Sequence, residues 1–380
     1  MSTSNHPGHY FQTTDALATS ERKAAKSKNK HGHPIKLPSK ILHAIPDPQH
    51  EKSVYVAEAA GEVKHVNLED AKIQRIFNQS QAPITSLAIC SSTNTLFVGS
   101  WDKTIYATSL SKPSEVKKLQ GHTDFIKCLL ATTTLNNQPI LLSGSADATI
   151  IIWSISSGHQ LHKLKGHTKA LADLSIDPLS ITPHAFTLFS ASSDREIRRW
   201  EISLASAQEL PDPIRPHDTS IYKLRWDSDA EGLWTASADK TAKHLVRSRN
   251  WEADAVLPHP DFVRDVVVFE DLGLVVTACR DEEVRVWEVS SGKLLCSYTG
   301  HFEEVTALVP RYAERKVVSV SIDGTVRQWS LERKDMIKFQ EDLAREVNGE
   351  LAEGEKKAGG SMLTAEEEAE LAELMDSDDE

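Results

Sequence analysis

A pattern of four residues recurs along the middle of the chain at a nearly constant spacing. Each copy has a His that follows Gly or Pro, a Ser or Thr four residues before an Asp, and a Trp six residues after that Asp. A period near forty residues with this content is typical of a β-propeller blade of four short antiparallel strands. Complete or nearly complete copies comprise His122, Ser143, Asp147 and Trp153; His167, Ser190, Asp194 and Trp200; His217, Thr235 and Asp239, with Leu245 in place of Trp; His259, Thr277, Asp281 and Trp287; and His301, Ser319, Asp323 and Trp329.

Two weaker repeats extend the series towards the N-terminus. The segment Trp101–Ile105 matches Ala238–Ala242 of a complete repeat, although Val98 and Thr108 replace the hydroxyl residue and the Trp. One step further back, Ala59–Val63 has the same turn-like shape but none of the four polar residues. The Asp-equivalent positions are then 60, 102, 147, 194, 239, 281 and 323, so that successive repeats are 42 to 47 residues apart. The sequence therefore predicts seven blades.

With this motif, spacing and repetition, roughly residues 41–331 resemble the WD-repeat (WD40) β-propeller family, and the propeller is expected to span residues 35–331. The resemblance implies an all-β fold, a seven-bladed propeller of four-stranded antiparallel blades. It also implies that the four polar residues form one buried chain of hydrogen bonds that fixes the strand register. One departure concerns the residue after Trp, which is never the Asp that gives the family its name: it is Ser154, Glu201, Glu288 or Ser330.

The same residue types, His, Asp and Ser, also compose hydrolase triads. The pattern recurs in five repeats, however, whereas an enzyme needs a single site with a nucleophile activated by its base. The chain contains no Gly-rich phosphate-binding loop and no His or Cys set with metal-ligand spacing. We therefore expect the repeated residues to be structural and the protein to be no enzyme, with no cofactor and no bound metal.

Composition narrows the possible partners and locations. The chain has 43 Lys and Arg against 55 Asp and Glu, a net charge of −12, which makes direct nucleic-acid binding unlikely as a function. No apolar run approaches the roughly 18 residues that span a bilayer, so no membrane association is expected. The four cysteines are scattered in predicted strands, which fits buried thiols in a reducing compartment and a cytoplasmic or nuclear protein.

The segments outside the repeats differ in character from the propeller. We expect residues 1–34 to form a disordered basic and His-rich tail, 332–352 an amphipathic helix, and 353–380 an acidic, mostly disordered tail with a short helix. The helix either packs on the propeller or recruits a partner. Ser377 lies among acidic residues, as at sites preferred by acidophilic kinases, or it belongs to a solubilising tail.

Closure of the ring has two candidate segments. In WD-repeat propellers the outermost strand of the last blade usually comes from the other end of the chain. Here Ile35–Leu37 suits that role, which makes Ile41–Ile45 the innermost strand of the first blade, and Met336–Phe339 is the rival.

The resemblance also points to the residues that the family exposes on one face of the ring. They lie three and five places after the His and one place before the Asp. Aromatic and Arg side chains at such positions anchor interfaces because they bury a large area and make directional contacts. The candidate partner-binding residues are Trp101, Phe125, Lys127, Tyr222, Phe262, Arg264, Arg280 and Glu304.

These observations favour a non-catalytic scaffold or adaptor that assembles a multiprotein complex through the propeller face and the C-terminal tail. An aromatic and basic face on an acidic protein suggests an acidic or phosphorylated peptide as partner, bound by a monomeric subunit of a hetero-complex. The alternatives are a recruitment or assembly subunit in ribosome biogenesis or RNA-associated complexes, or in a ubiquitin ligase. For cullin-linked receptors the expected Arg three residues after Trp is absent, with Ser156, Ser203, Ser290 and Glu332 in its place.

Overall fold

A computed structural model describes residues 21–24 and 26–358 of the chain. Seven four-stranded antiparallel sheets account for nearly all of the regular structure up to Leu331. Sheet number, strand count and strand direction confirm the predicted seven-bladed propeller. The strands are rich in β-branched residues, as in Lys316–Ser321 and Thr149–Ser154, which suit a pleated and half-buried backbone.

Each blade takes four strands, labelled a to d from the innermost strand outwards. The first three blades are β2 (Ile41–Pro46), β3 (Ser53–Glu58), β4 (Val63–Asn67) and β5 (Ile73–Phe77); β6 (Ile84–Cys90), β7 (Thr95–Ser100), β8 (Thr104–Ser109) and β9 (Lys112–Gln120); and β10 (Ile126–Leu135), β11 (Gln138–Ser145), β12 (Thr149–Ser154) and β13 (Gln160–Lys165). The next three are β14 (Leu171–Ile176), β15 (Ala185–Ser192), β16 (Ile197–Ser203) and β17 (Ala207–Glu209); β18 (Ile221–Trp226), β19 (Gly232–Ser237), β20 (Thr241–Val246) and β21 (Glu252–Pro258); and β22 (Val263–Phe269), β23 (Leu274–Cys279), β24 (Glu283–Glu288) and β25 (Leu294–Thr299).

The seventh blade joins the two ends of the propeller. Its inner strands are β26 (Val305–Arg311), β27 (Lys316–Ser321) and β28 (Thr325–Ser330), and its outermost strand is β1 (Ile35–Lys36). Strand β1 pairs antiparallel with β28, with Ile35 opposite Val326. The N-terminal segment therefore closes the ring, and Ile41–Pro46 is the innermost strand of blade 1. The rival segment Met336–Phe339 is helical.

The hydrophobic core is divided among the spaces between neighbouring blades. The side chains of β-strands alternate between the two faces of a sheet, so that each blade contributes apolar residues to both of its neighbours. Phe97 of blade 2, for example, packs in one cluster with Ile126 and Trp153 of blade 3. All four cysteines are buried in strands without a disulfide.

The segments at the two ends differ in part from expectation. Residues 21–24 are helical, and residues within 22–31, which were expected in a disordered tail, make ion pairs and hydrogen bonds with blades 6 and 7. Their basic side chains meet acidic residues that the sequence motif did not single out. A separate unit begins at Glu332 and contains helix α1 (Arg333–Ala358), which extends six residues beyond the predicted end at 352. None of the described helices is long and apolar enough to cross a membrane. The proposed site at Ser377 lies outside the described residues.

Candidate partner-binding face

The antiparallel order of the strands places two kinds of connection at one end of the ring. The turns between strands b and c, and the connections from strand d to the next strand a, share this end, here called the upper face. The connections between strands a and b and between c and d lie at the opposite end, the lower face. All eight candidate residues are in or next to upper-face connections: Trp101, Phe125, Lys127, Tyr222, Phe262, Arg264, Arg280 and Glu304.

The turns between strands b and c have the same backbone in every blade. The residue after each Asp-equivalent position has a positive φ, between 62° and 82°, which only glycine adopts without a steric cost. Gly61 occupies this position in blade 1, where a Cβ would lie 2.2 Å from the carbonyl oxygen of Ser80. The degenerate first repeat therefore retains the turn although it has lost the polar residues. The seven residues are Gly61, Lys103, Ala148, Arg195, Lys240, Glu282 and Gly324.

Blade 7 shows the repeated polar network in full. The Nδ1 of His301 lies 2.9 Å from the Asp323 carboxylate, and its Nε2 lies 2.7 Å from the Ser319 hydroxyl. The indole N–H of Trp329 donates to the same hydroxyl at 2.8 Å. Blades 3 and 4 repeat this arrangement, with ring-to-carboxylate and ring-to-hydroxyl distances between 2.8 and 3.1 Å. The network ties the connection before strand a to strands b and c.

Blade 5 lacks one member of this network. His217 contacts both Asp239 and Thr235 at 2.7 Å, and the buried Leu245 replaces the indole donor.

Blade 6 departs from the expected pattern. The Nδ1 of His259 donates to the carbonyl oxygen of Leu257 at 3.0 Å instead of contacting Asp281. The guanidinium of Arg285 forms an ion pair with the Asp281 carboxylate, with Nη2 2.6 Å from Oδ2. The motif predicted a continuous chain from Asp281 through His259 to Trp287, which is wrong at its first link, because Arg285 supplies a charged partner for the carboxylate. Trp287 still donates to Thr277 at 2.9 Å.

Blades 1 and 2 replace the network altogether. In blade 1 the buried Val56 and Val66 occupy the hydroxyl and Trp positions, and the Lys64 ammonium pairs with the buried Glu58 at 2.7 Å. In blade 2 the Tyr106 hydroxyl donates to Asp102 at 2.5 Å.

The pKa shifts of the repeated Asp and His residues fit a structural role. The bonds from Thr149, Thr123 and His122 hold the pKa of Asp147 far below its usual range, against the opposing effect of burial. Burial lowers the pKa of His122 and His301, and that of His259 to about 4. An ionised carboxylate beside a neutral imidazole is thus maintained at neutral pH, and each hydroxyl is already shared between His and Trp.

Two exposed candidate residues form a stacked aromatic pair. The rings of Trp101 in blade 2 and Phe125 in blade 3 are 5.0 Å apart at an angle of 13°. They remain 41% and 37% exposed, although large aromatic side chains are usually more deeply buried. Each belongs to a different blade, so the pair bridges the gap between two neighbouring upper-face connections.

Five of the remaining candidates form two clusters. Arg280 lies over the Phe262 ring at 5.1 Å. Arg264 instead contacts neighbouring blades: its guanidinium is 4.2 Å from the Tyr222 ring centre, and its Nε is 2.7 Å from Glu304.

Lys127 is a half-buried cation at the inner edge of this face. Burial and the positive charge of Arg264 lower its pKa. It has no ion-pair partner among residues 21–24 and 26–358.

Sequence analysis missed the N-terminal residues that cover one sector of the upper face. Arg22 and Lys26 pair with Glu282 at 2.7 and 2.8 Å, and Lys23 pairs with Glu303 at 2.7 Å. The basic cluster was visible in the sequence. Its acidic counterparts were not recognisable, because neither Glu282 nor Glu303 belongs to the repeated motif.

Comparison with known proteins identifies the family. The family described as WD domain, G-beta repeat, matches residues 71–107, 113–154, 158–201 and 292–330. A WD repeat-containing protein of Schizosaccharomyces pombe, named as uncharacterized protein C126.01c, is 34% identical over 98% of this chain and 99% of its own length. The chain belongs to the WD-repeat family.

Other relatives share only part of their length with this WD-repeat protein. Periodic tryptophan protein 2 of Arabidopsis thaliana is 38% identical over 33% of the chain and 15% of its own length. Autophagy-related protein 16 of the same plant is 26% identical over 32% of the chain and 24% of its own length. Among solved structures, the WD40 β-propeller domain of Doa1 superposes with a TM-score of 0.66 at 19% identity, covering 80% of this chain and 97% of the domain. That similarity shows the fold alone.

Proposed function

We propose that this WD-repeat protein is a non-catalytic scaffold that binds a peptide segment of a partner protein on its upper face. The observation that carries the proposal is the exposed stack of Trp101 on Phe125. Two adjoining flat rings offer an apolar surface to a partner side chain, and they are already ordered by their own contact. Binding to such a preordered pair costs less conformational entropy than binding to free side chains.

Two basic residues of the upper face support an anionic partner segment. Lys127 is half-buried two residues after Phe125, and the Arg280 side chain is 51% exposed. A carboxylate or phosphate of the partner would supply the charge that Lys127 lacks within the described chain. The N-terminal basic residues Arg22, Lys23 and Lys26 are already engaged by Glu282 and Glu303, which argues against their forming a nucleic-acid arm. The four buried thiols support a reducing compartment, the cytoplasm or nucleus.

Affinity purification with quantitative mass spectrometry tests this function. The full chain is compared with a Trp101→Ala, Phe125→Ala double variant and with a matched control, Leu179→Ala with Ile181→Ala. The control residues are also exposed and apolar, but they lie in the connection between β14 and β15 on the lower face. We expect the upper-face variant alone to lose specific co-purifying proteins by tenfold or more.

Acidic, phosphorylated and uncharged versions of the recovered partner segment then identify the anion. If Lys127→Ala weakens binding of the acidic or phosphorylated peptides but not of the uncharged peptide, the result would support an ionic contact between Lys127 and the partner. Equal recovery of all partners by the two double variants would refute the proposed face.

A further inference from the structure

A cluster of two imidazoles and one carboxylate lies in blade 1, away from the upper face. Asp47 follows β2, His50 lies in the connection to β3, and His65 is in the middle of β4. The Oδ2 atom of Asp47 is 3.0 Å from Nδ1 of His50 and 2.9 Å from Nε2 of His65. These three atoms all lie within 4.8 Å of one another.

The carboxylate of this cluster is strongly shielded from solvent. The Asp47 side chain is 2% exposed, whereas those of His65 and His50 are 21% and 68% exposed. Among the described residues the two imidazoles are the only ion-pair partners of Asp47, and no Lys or Arg pairs with it. A buried carboxylate requires compensating charge or several hydrogen bonds. A divalent cation held by the same three residues would supply that charge.

The surrounding structure orients the donor atoms. The Oδ1 of Asp47 accepts the backbone N–H of Gln49 at 2.9 Å, which leaves Oδ2 directed at the imidazoles. The Tyr55 ring lies 4.8 Å from that of His65 and restricts its rotation. Hydrogen bonds to the second oxygen of a ligand and packing against a ligand ring are typical supports of metal sites.

We propose that Asp47, His50 and His65 form a zinc site with an open fourth position. Zinc takes His nitrogen and carboxylate oxygen at about 2.0–2.2 Å, so that tetrahedral ligand atoms lie about 3.3 Å apart. The two contacts of Asp47 are within about 0.4 Å of that separation. His50 is largely exposed in a surface connection. Its exposure leaves the fourth position to water.

The site has a structural consequence for blade 1. This blade lacks the polar network that ties strands together elsewhere, since Val56, Ala60 and Val66 occupy its positions. A metal ion joining the connection after β2 to β4 would supply an equivalent tie at a different place in the blade.

Zinc titration of the full chain tests the site. Untagged protein is freed of metal by a chelator, and binding is followed by calorimetry and by the shift in thermal midpoint. The test variants are Asp47→Asn, His65→Gln and His50→Ala. The matched control is His184→Gln, which changes an exposed His in another blade, and a second control, His6→Ala with His9→Ala, removes two histidines elsewhere in the sequence.

We expect one zinc ion per chain and a rise in midpoint with the native protein and both controls. Each cluster variant is expected to lose at least tenfold in affinity. Because His50 is mostly exposed, His50→Ala is expected to keep the far-ultraviolet circular dichroism of the native protein, so its loss of zinc would not reflect unfolding. Absence of stoichiometric binding, or binding that survives in all three cluster variants, would overturn the proposal.

Discussion

Thr235 and Thr277 occupy the same position in neighbouring blades, but their hydroxyls have different partners. Thr277 accepts the indole N–H of Trp287 and contacts His259. Thr235 contacts His217 and donates to the carbonyl oxygen of Lys243 at 3.2 Å, and it has no indole partner because Leu245 replaces the Trp. Both side chains are fully buried. The comparison isolates what the indole bond contributes to stability.

Replacement of each Thr by the isosteric Val measures that contribution. Thr277→Val leaves a buried indole donor and a ring nitrogen unpaired, and each unsatisfied group costs about 1–3 kcal/mol. Thr235→Val leaves the His217 ring nitrogen unpaired and removes the bond to the Lys243 carbonyl oxygen, but it leaves no buried indole donor unpaired. We expect Thr277→Val to lower the free energy of unfolding by at least about 1 kcal/mol more than Thr235→Val. Urea unfolding at pH 7 checks this, and equal losses would show that the indole bond contributes nothing.

The repeated motif located the polar residues but not all of their partners. The family resemblance placed His301, Ser319 and Trp329 in one network, and the structure brings these three side chains together. It failed for Asp281, since Arg285 stands four residues later on the next strand and competes for the carboxylate. Sequence analysis likewise placed Trp101 and Phe125 among the candidates without predicting their contact, because side-chain stacking across two blades depends on how the blades pack.

Strand β1 is the shortest element of the propeller, and it completes the last blade. It consists of Ile35 and Lys36, of which Ile35 is buried in the cluster between blades 7 and 1 and Lys36 is exposed. Leu37 extends the contact through a backbone bond from its N–H to the carbonyl oxygen of Gly324 at 2.7 Å. Residues before the strand add to the junction, since the backbone N–H of Gln328 donates to the carbonyl oxygen of Gly32 and Arg327 donates to Asn29.

A pair of alanine substitutions separates packing from backbone pairing in this strand. Ile35→Ala removes buried methyl groups and is expected to lower the free energy of unfolding by about 2–4 kcal/mol. Lys36→Ala, beside it, is expected to stay within about 0.5 kcal/mol. Thermal unfolding and hydrogen exchange of blade 7 amides measure the effects. Similar small effects of both changes would mean that the core cluster does not depend on β1.

The number of blades was predictable, whereas the closing segment was not. Seven repeats produce a periodic pattern in the sequence. A two-residue strand produces no such pattern, so the sequence left both Ile35–Leu37 and Met336–Phe339 as candidates for the closing strand. The latter lies in helix α1. Similarly, the contacts of Lys23 and Lys26 with blades 6 and 7 depend on acidic residues more than 250 positions away.

Acid stability depends on buried histidines in several blades of the ring. Burial lowers the pKa of His259 from 6.5 to about 4, and that of His122 and His301 in the same direction. The unfolded chain therefore binds more protons than the folded chain below pH 6.5, and stability falls as the pH falls. Hydrogen bonds lower the pKa of Asp147 and Asp323, so their contribution is lost only at pH values below about 4.

The change in the free energy of unfolding between pH 7 and pH 5 tests whether the buried histidines cause this loss of stability. One pKa unit corresponds to about 1.4 kcal/mol, so His259 accounts for up to about 2 kcal/mol of the decline. We expect His259→Gln to have a correspondingly smaller difference between the two pH values in urea unfolding, whatever its stability at pH 7. The exposed His184→Gln is the control and should retain the full slope. Identical slopes in all three proteins would contradict the role of His259.

Closure of the ring by β1 sets an order of events on the ribosome. Ile35 is synthesised 291 positions before its partner Val326. At about 5–20 residues per second, the first strand waits roughly 15–60 s for the last blade. Throughout that interval blade 1 has no neighbouring blade on one side. The exposed face of blade 1 is then available for incorrect contacts with other chains. Translation speed and chaperone capture should therefore govern how much of this protein matures correctly.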